Sequence, residues 1–309
     1  MTGLSWRQQP DGSGSIVGPN DVELAHYEWQ RANHPYFDRL RPLTHAGFLT
    51  NHAPYDHRWH HGLWWSWKFI NDVLFWENHF GYGGNRVGLG RSVVTEHSVD
   101  DSDGSVKIRQ RLQWRVDATG DALLQEERSV VAQLDPGSDA RWILDWDQNW
   151  TAVTDVRLEA TPWPETTWGG YAGLNYRPAR SLAAEESIIG DGVEGVEALH
   201  GARSAWAAYT GLVDGAETDE PDVPARGGIA MLQHPANPRY PHPVYTFSAG
   251  EEFGFLATAP LMHEPLELPA SAELRLRHRV LVLDAPPEPD AVRRAGESYV
   301  SARSAPLLS

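Results

Sequence analysis

The stretch from Asn51 to Trp67 concentrates side chains that can move protons. His52, Asp56, His57, His60 and His61 stand with Arg58 among Trp59, Trp64, Trp65 and Trp67, and Glu77 and His79 follow in the run Trp76-Glu77-Asn78-His79. A buried core rarely spends imidazoles in this way, because each ring nitrogen withdrawn from water needs a partner or costs about 1–3 kcal/mol. Epimerisation, β-elimination and glycoside cleavage each need an acid and a base with separated pKa values, and these residue types supply both roles. The assignment that follows is His60 or His61 as general acid or base, with Asp56 or Glu77 as its partner. In an extended chain His57, Trp59 and His61 share one face while Arg58 and His60 take the other. Adjacent histidines then serve one pocket only if Gly62 turns the chain, so one is expected to act and the other to brace.

A carbohydrate offers faces that stack on aromatic rings and hydroxyls that bind Asp, Asn, Arg and His. The chain carries 14 Trp. Candidate substrate-binding residues are His57, Trp59 and His79, then Tyr171, Asn175 and Arg177 from the glycine-rich, aromatic run at 168–177, and His234, Asn237 and Arg239 from the proline-rich segment at 234–241. Arg177 and Arg239 could pair a carboxylate bidentately, or instead bridge to the acidic loops. A second reading is a divalent metal held by His57, His61 and Glu77 or His79 as a two-His-one-carboxylate set. Strand residues four apart lie roughly 13 Å from each other, so that set needs looped or helical geometry, and no metal ligand is assigned. A third reading is a sugar-binding sandwich without catalysis.

Charge and composition narrow the partners. With 42 acidic and 26 basic residues in 309, the formal net charge is -16, which disfavours a nucleic-acid backbone or an anionic membrane. No apolar run reaches the 18 or so residues of a membrane helix. The absence of cysteine removes disulfides, thiolate metal sites and thiol nucleophiles together. Residues 1–19 show neither a basic start nor an apolar core, so no secretion signal is read and a cytoplasmic location is expected. The expected partner is a small-molecule carbohydrate, and homo-oligomerisation is left open.

The elements that must position these groups are mostly strands. Val106, Ile108, Leu112, Trp114 and Val116 alternate with Lys107, Arg109, Arg111 and Arg115, a period of two. Similar runs at 123–134, 142–150, 153–160, 205–209, 227–232, 244–247, 254–257 and 273–283 are separated by Pro- and Gly-rich turns. Asp145 and Asp147 read as a solvated strand face. The glycines at 81–86 lack a Lys-Ser/Thr pair or a strand-to-helix context and read as a flexible loop. Pro289 to Ala302 alone has helical spacing. The expected fold is all-β, a large antiparallel sandwich with a C-terminal helix, made of a loose segment at 1–20 and a single domain at 21–309.

The run Asp56-His57-Arg58-Trp59-His60-His61-Gly62, the later Phe75-Trp76, the segment Gly170-Tyr171-Ala172-Gly173-Leu174 with Arg177, and His234-Pro235-Ala236-Asn237-Pro238-Arg239 resemble, in that order, the bacterial family labelled PmoA-like, or methane oxygenase PmoA. The likeness covers nearly the whole chain from about Val22. With no membrane-spanning run, the label does not bring the chemistry of the membrane oxygenase with it. The resemblance implies a soluble protein met among sugar-catabolism genes, with a shape similar to the sandwiches of the galactose-mutarotase class. It carries over no catalytic residues.

Overall fold

The computed structural model describes residues 3–79, 88–138, 141–216, 222–250 and 252–302. Two large sheets pack face to face. The first has eight strands in the order Ser5–Gln8, Gly14–Val17, Glu23–Glu28, Tyr36–Asp38, Leu63–Ser66, Gly173–Tyr176, Gly254–Thr258 and Val244–Ser248. The second has twelve and is built on the long strands Glu273–Leu283, Trp142–Ala152, Ala122–Leu134, Val106–Val116 and Gly88–Asp100, side by side. Among the described residues the strand pairs are antiparallel except the short contact of Val73–Leu74 with Gly88–Asp100, and one isolated parallel bridge joins His200 to Val244. This is the antiparallel β-sandwich, with the helix Pro289–Ala302 at its C-terminal end. No helix among the described residues is long and apolar enough to cross a membrane.

Side-chain parity builds the core. Ile108, Trp114, Val130, Trp146, Trp150, Leu276 and Val280 of the large sheet meet Phe37, Leu63, Trp65, Leu174, Tyr176 and Leu256 of the small one in a single buried cluster. Between the sheets Glu126 is wholly enclosed, yet it accepts hydrogen bonds from Trp114 Nε1, Trp150 Nε1, Gln148 Nε2 and the Arg128 guanidinium, so its charge is fully met.

Two expectations are corrected. Residues 5–8 and 14–17 are not loose but form a hairpin at the edge of the small sheet. Its turn is fixed by the Asp11 carboxylate, which accepts from Ser13 N at 3.1 Å and Ser13 Oγ at 2.6 Å. Trp6 lies directly over Gly14, where a Cβ would meet the indole at 1.9 Å. Asp145 and Asp147 are not a solvated face. The terminal helix packs Val292 and Ala295 on Ile143, Leu281 and Leu283, on the side of the large sheet away from the core. Asp145 is thereby buried in a bidentate pair with Arg279, and Asp147 pairs with Arg275 in the same way. The glycines at 81–86 lie outside the described residues.

Candidate functional site

The outer side of the small sheet carries the site. Tyr36, Trp64, Asn175, Ala257 and Tyr245 stand in register across five strands and share the outward parity, whereas Trp65, Leu174 and Leu256 face the core. Above that row the loop before Leu63–Ser66 folds into two successive turns, with His57 N donating to Pro54 O at 3.1 Å and His60 N to His57 O at 3.0 Å. Turn spacing of three, rather than strand spacing of two, therefore brings His57 and His60 together, their rings stacked at 4.8 Å. Gly62 then reverses the chain at φ +87°, where a Cβ would sit 2.6 Å from Phe37 O. His61 lies at the Tyr36 end of the same outward row, with its ring stacked on Tyr36 at 4.6 Å and beside His52 at 5.4 Å.

His57, Trp59 and His60 form one wall of a cleft of about 340 Å³. Trp76 and Glu77 enter from the segment after Val73–Leu74, Trp168 and Tyr171 from the glycine-rich run, and Tyr245, Phe247 and Phe255 from the last two strands of the small sheet, with Phe253 from the connection between them. Trp59, Trp64, Trp76, Tyr171, Tyr245 and Phe255 form a second buried cluster, separate from the main core.

Three polar arrangements serve this cleft. His57 Nδ1 lies 2.9 Å from Asp56 Oδ2, and Asp56 also accepts from Arg177 at 2.9 Å and Arg180 at 3.0 Å. An ionised Asp56 places the proton on Nδ1 and leaves Nε2 as the acceptor, a tautomer assigned from the partner. Burial alone would raise the Asp56 carboxyl, but the hydrogen bond from His57 and the charge of Arg177 hold it below its ordinary range. Arg177 is itself buried under the Phe253 ring, 3.6 Å from its centroid, and desolvation brings it down to about 10.

His60 is enclosed by rings, among them Trp64 at 5.3 Å and Phe255 at 5.1 Å. Burial, helped by the neighbouring charges of His57 and Arg177, holds its imidazole well below the ordinary value, so it is neutral near pH 7. Its Nδ1 has no hydrogen-bond partner among the described residues.

At the base, Lys68 Nζ donates to Glu77 Oε1 at 2.5 Å and to Tyr171 OH at 2.7 Å. Glu77 Oε2 is buried with no hydrogen-bond partner among the described residues. Burial and the adjacent Glu77 charge push the Tyr171 phenol well above 10, so it keeps its proton. Lys68 escapes a sequence reading because it sits inside the aromatic run Trp64 to Phe69, where it passes for a strand-edge cation. A lone lysine in such a run is the available signal, since a buried ammonium demands an acid partner.

The structure brings Asp56, His57, Trp59, His60, Glu77 and Tyr171 to this place. It does not bring the others into the cleft lining. His79 packs edge-on against Trp59 at 4.7 Å. Asn175 lies under the floor, donating to Gly173 O and Trp64 O, and Arg177 is covered by Phe253. The expected convergence of the His234–Arg239 loop does not occur. Asn237 exchanges hydrogen bonds with the backbone of Arg277, Arg239 binds the carbonyls of Glu264 and Pro265, and His234 sits edge-on to Tyr299. The set His57, His61 and Glu77 or His79 is not assembled either, because His61 packs on Tyr36 and His52 and is not among the cleft-lining residues. Among the described residues no group of three or more His, Asp or Glu is arranged to hold a metal ion.

A family model described as a family of unknown function (DUF6807) matches residues 17–296. The chain belongs to that family. No curated protein matches the chain. Among solved structures, the DUF6807 chain is similar to an α-galactosidase from Lactobacillus brevis at 10% identity and a TM-score of 0.39, covering 92% of this chain and 39% of that one. It is also similar to a putative mutarotase from Salmonella typhimurium at 14% identity and a TM-score of 0.35, covering 92% of this chain and 95% of that one. The DUF6807 chain thus spans well under half of the galactosidase.

Chemically, the cleft of this DUF6807 chain offers an unprotonated imidazole at His60, a second imidazole oriented by Asp56, a carboxylate oxygen at Glu77 and a protonated phenol at Tyr171. Acceptors and a donor stand within one apolar enclosure, where each hydrogen bond is stronger than in water.

Proposed function

We propose that this protein processes a carbohydrate by acid–base catalysis in the aromatic cleft. The observation that carries the reading is the stacked pair His57 and His60 facing the same small cavity as Glu77 and Tyr171. Indole and phenyl rings suit the C–H faces of a sugar, and few but fixed polar groups suit its hydroxyls. His60 is the base, since burial keeps it unprotonated. Tyr171, which retains its proton, is the group able to donate, and His57 Nε2 is a second acceptor. Asp56 touches His57 rather than the cavity, so it is a positioning residue that sets the imidazole's tautomer and angle. Epimerisation, elimination and glycoside cleavage all draw on such a pair. The resemblance to the PmoA-like family, met among sugar-catabolism genes, points to the same substrate class.

The test is turnover of a panel of keto-sugars and glycosides by the purified protein, with His60→Ala and His57→Ala beside the wild type. Turnover by the wild type and a loss of about 100-fold or more in each variant is expected. Saturable binding without turnover would replace the enzyme with a sugar-binding module, and a panel that neither binds nor reacts would contradict the reading.

A further inference from the structure

The aromatic surface of the cleft continues past Tyr245. The segment 161–170 closes on itself, with Gly170 N donating to Thr161 O at 2.8 Å and Gly169 N to Thr166 O at 2.8 Å, and it carries two indoles. Trp168 lines the cleft, whereas Trp163 is half-buried against the same aromatic cluster and lies outside the cleft lining. The His200 ring joins the two places, meeting the Tyr245 ring edge-on at 4.9 Å and the Trp163 indole at 5.7 Å. His263, an exposed residue, stands against the same indole at 5.4 Å. Gly201 packs on that ring so closely that a Cβ would come within 2.8 Å of it.

The polar atoms beside Trp163 are oriented by backbone. His200 Nδ1 lies 2.7 Å from Thr246 O, and His263 Nε2 lies 3.1 Å from Gly201 O. A carbonyl only accepts, so each of these nitrogens carries a proton, and in the neutral rings His200 Nε2 and His263 Nδ1 are acceptors. The proline-rich segment has a part in this arrangement. Arg239 donates to Glu264 O at 3.1 Å and to Pro265 O at 2.8 Å, which holds the turn that carries His263. An indole with an imidazole acceptor on either side suits a pyranose, whose C–H face stacks on the ring while its hydroxyls donate.

We infer that Trp163, His200 and His263 form a second saccharide subsite, so that the ligand is a chain of at least two sugar units, one in the cleft and the next on Trp163. Two ring contacts, through His200, separate Trp163 from the cleft wall at Tyr245, close enough for neighbouring units of one chain. This rests on the carbohydrate reading above and adds chain length to it.

The experiment is calorimetric titration of the full chain with glucose, galactose, mannose and xylose and with the di- and trisaccharides of each in both anomeric linkages. In at least one series the disaccharide is expected to bind about tenfold or more tightly than its monosaccharide. Trp163→Ala is expected to weaken that disaccharide about tenfold while leaving the monosaccharide within about twofold. His263→Ala, at an exposed position, is expected to weaken the disaccharide alone by about threefold, and it carries the test if Trp163→Ala fails to fold. Unchanged circular dichroism verifies the fold of each variant. A disaccharide no tighter than its monosaccharide in every series, or variants that weaken both ligands alike, would overturn the second subsite and leave the carbohydrate reading standing. No saccharide binding at all would overturn both.

Discussion

Lys68 Nζ lies 2.5 Å from Glu77 Oε1 with the two side chains 0% and 1% exposed, an ion pair shut entirely away from water at the base of the cleft. Such a pair is held together by the cost of separating it more than by any net gain from forming it, because desolvating the two charges offsets most of their attraction. Its consequence for the site is that one Glu77 oxygen is committed to the Lys68 ammonium while the other has no hydrogen-bond partner among the described residues.

Removing one member should therefore be expensive and removing both should not. Lys68→Met is expected to cost about 3–5 kcal/mol, and the double variant Lys68→Met/Glu77→Gln to recover most of it. Urea denaturation of the single and double variants measures this. A single variant within about 1 kcal/mol of wild type would show that the carboxylate has other compensation.

His60 and His61 are neighbours in sequence with opposite surroundings, one in the cleft and the other stacked on Tyr36. His60→Ala is expected to lower turnover by about 100-fold or more, while His61→Ala leaves turnover within a few-fold and lowers stability by about 1–2 kcal/mol through the lost stack. Steady-state rates and thermal melts of both variants separate the cases, and equal loss of turnover would refute the division.

The two histidines also show where the sequence stops being informative. Alternation in the long strands is a local signal, so the runs at 106–116, 122–134, 142–152 and 273–283 and the helix at 289–302 are legible from residue order alone. A pair of i→i+3 turns is not marked by period, and it is those turns that move His60 beside His57. Tyr245, Phe247, Phe253 and Phe255 reach the cleft through strand pairing with Gly173–Tyr176, far away in sequence, so nothing near His57 announces them. Asp145 and Asp147 alternate as a wet face would, and only the docking of the terminal helix buries Asp145. The proline-rich loop at 234–241 looks like a site by composition, yet Asn237 is occupied by the Arg277 backbone and Arg239 by the Glu264 and Pro265 carbonyls and the Glu264 carboxylate.

Acid should weaken the fold before it protonates it. Burial pushes His34 and His242 down to about 4, and each imidazole also meets a carbonyl, Phe75 O and Pro238 O. Below the unfolded value near 6.5 the unfolded chain takes up protons that the fold refuses until about pH 4, so stability falls as pH drops through that window. Each residue contributes on the order of 2 kcal/mol of loss by pH 5. His26 works in the opposite direction: the hydrogen bond to Asp38 raises its pKa, and the stability it adds at low pH is lost as pH rises through that raised value. Melting temperatures at pH 8, 6.5 and 5 should decline on the acid side, and a flat profile from 7 to 5 would contradict the burial of these rings.

Gly62 is the hinge of the site. Gly62→Ala must hold φ +87° and place a methyl group 2.6 Å from Phe37 O, so a loss of about 1–3 kcal/mol is expected together with reduced turnover as His60 shifts. Thermal melts and rates test this, and an alanine variant of normal stability would mean that the loop can turn in another way.

The most direct test of the whole account is a crystal of the protein soaked with a glycoside that it binds. The expected result is a sugar in the cleft lined by Trp59 and Trp76, with a hydroxyl within hydrogen-bonding reach of Glu77 Oε2 or His60. A ligand seated instead on the His234–Arg239 loop, or on any surface away from His57, His60 and Glu77, would contradict it.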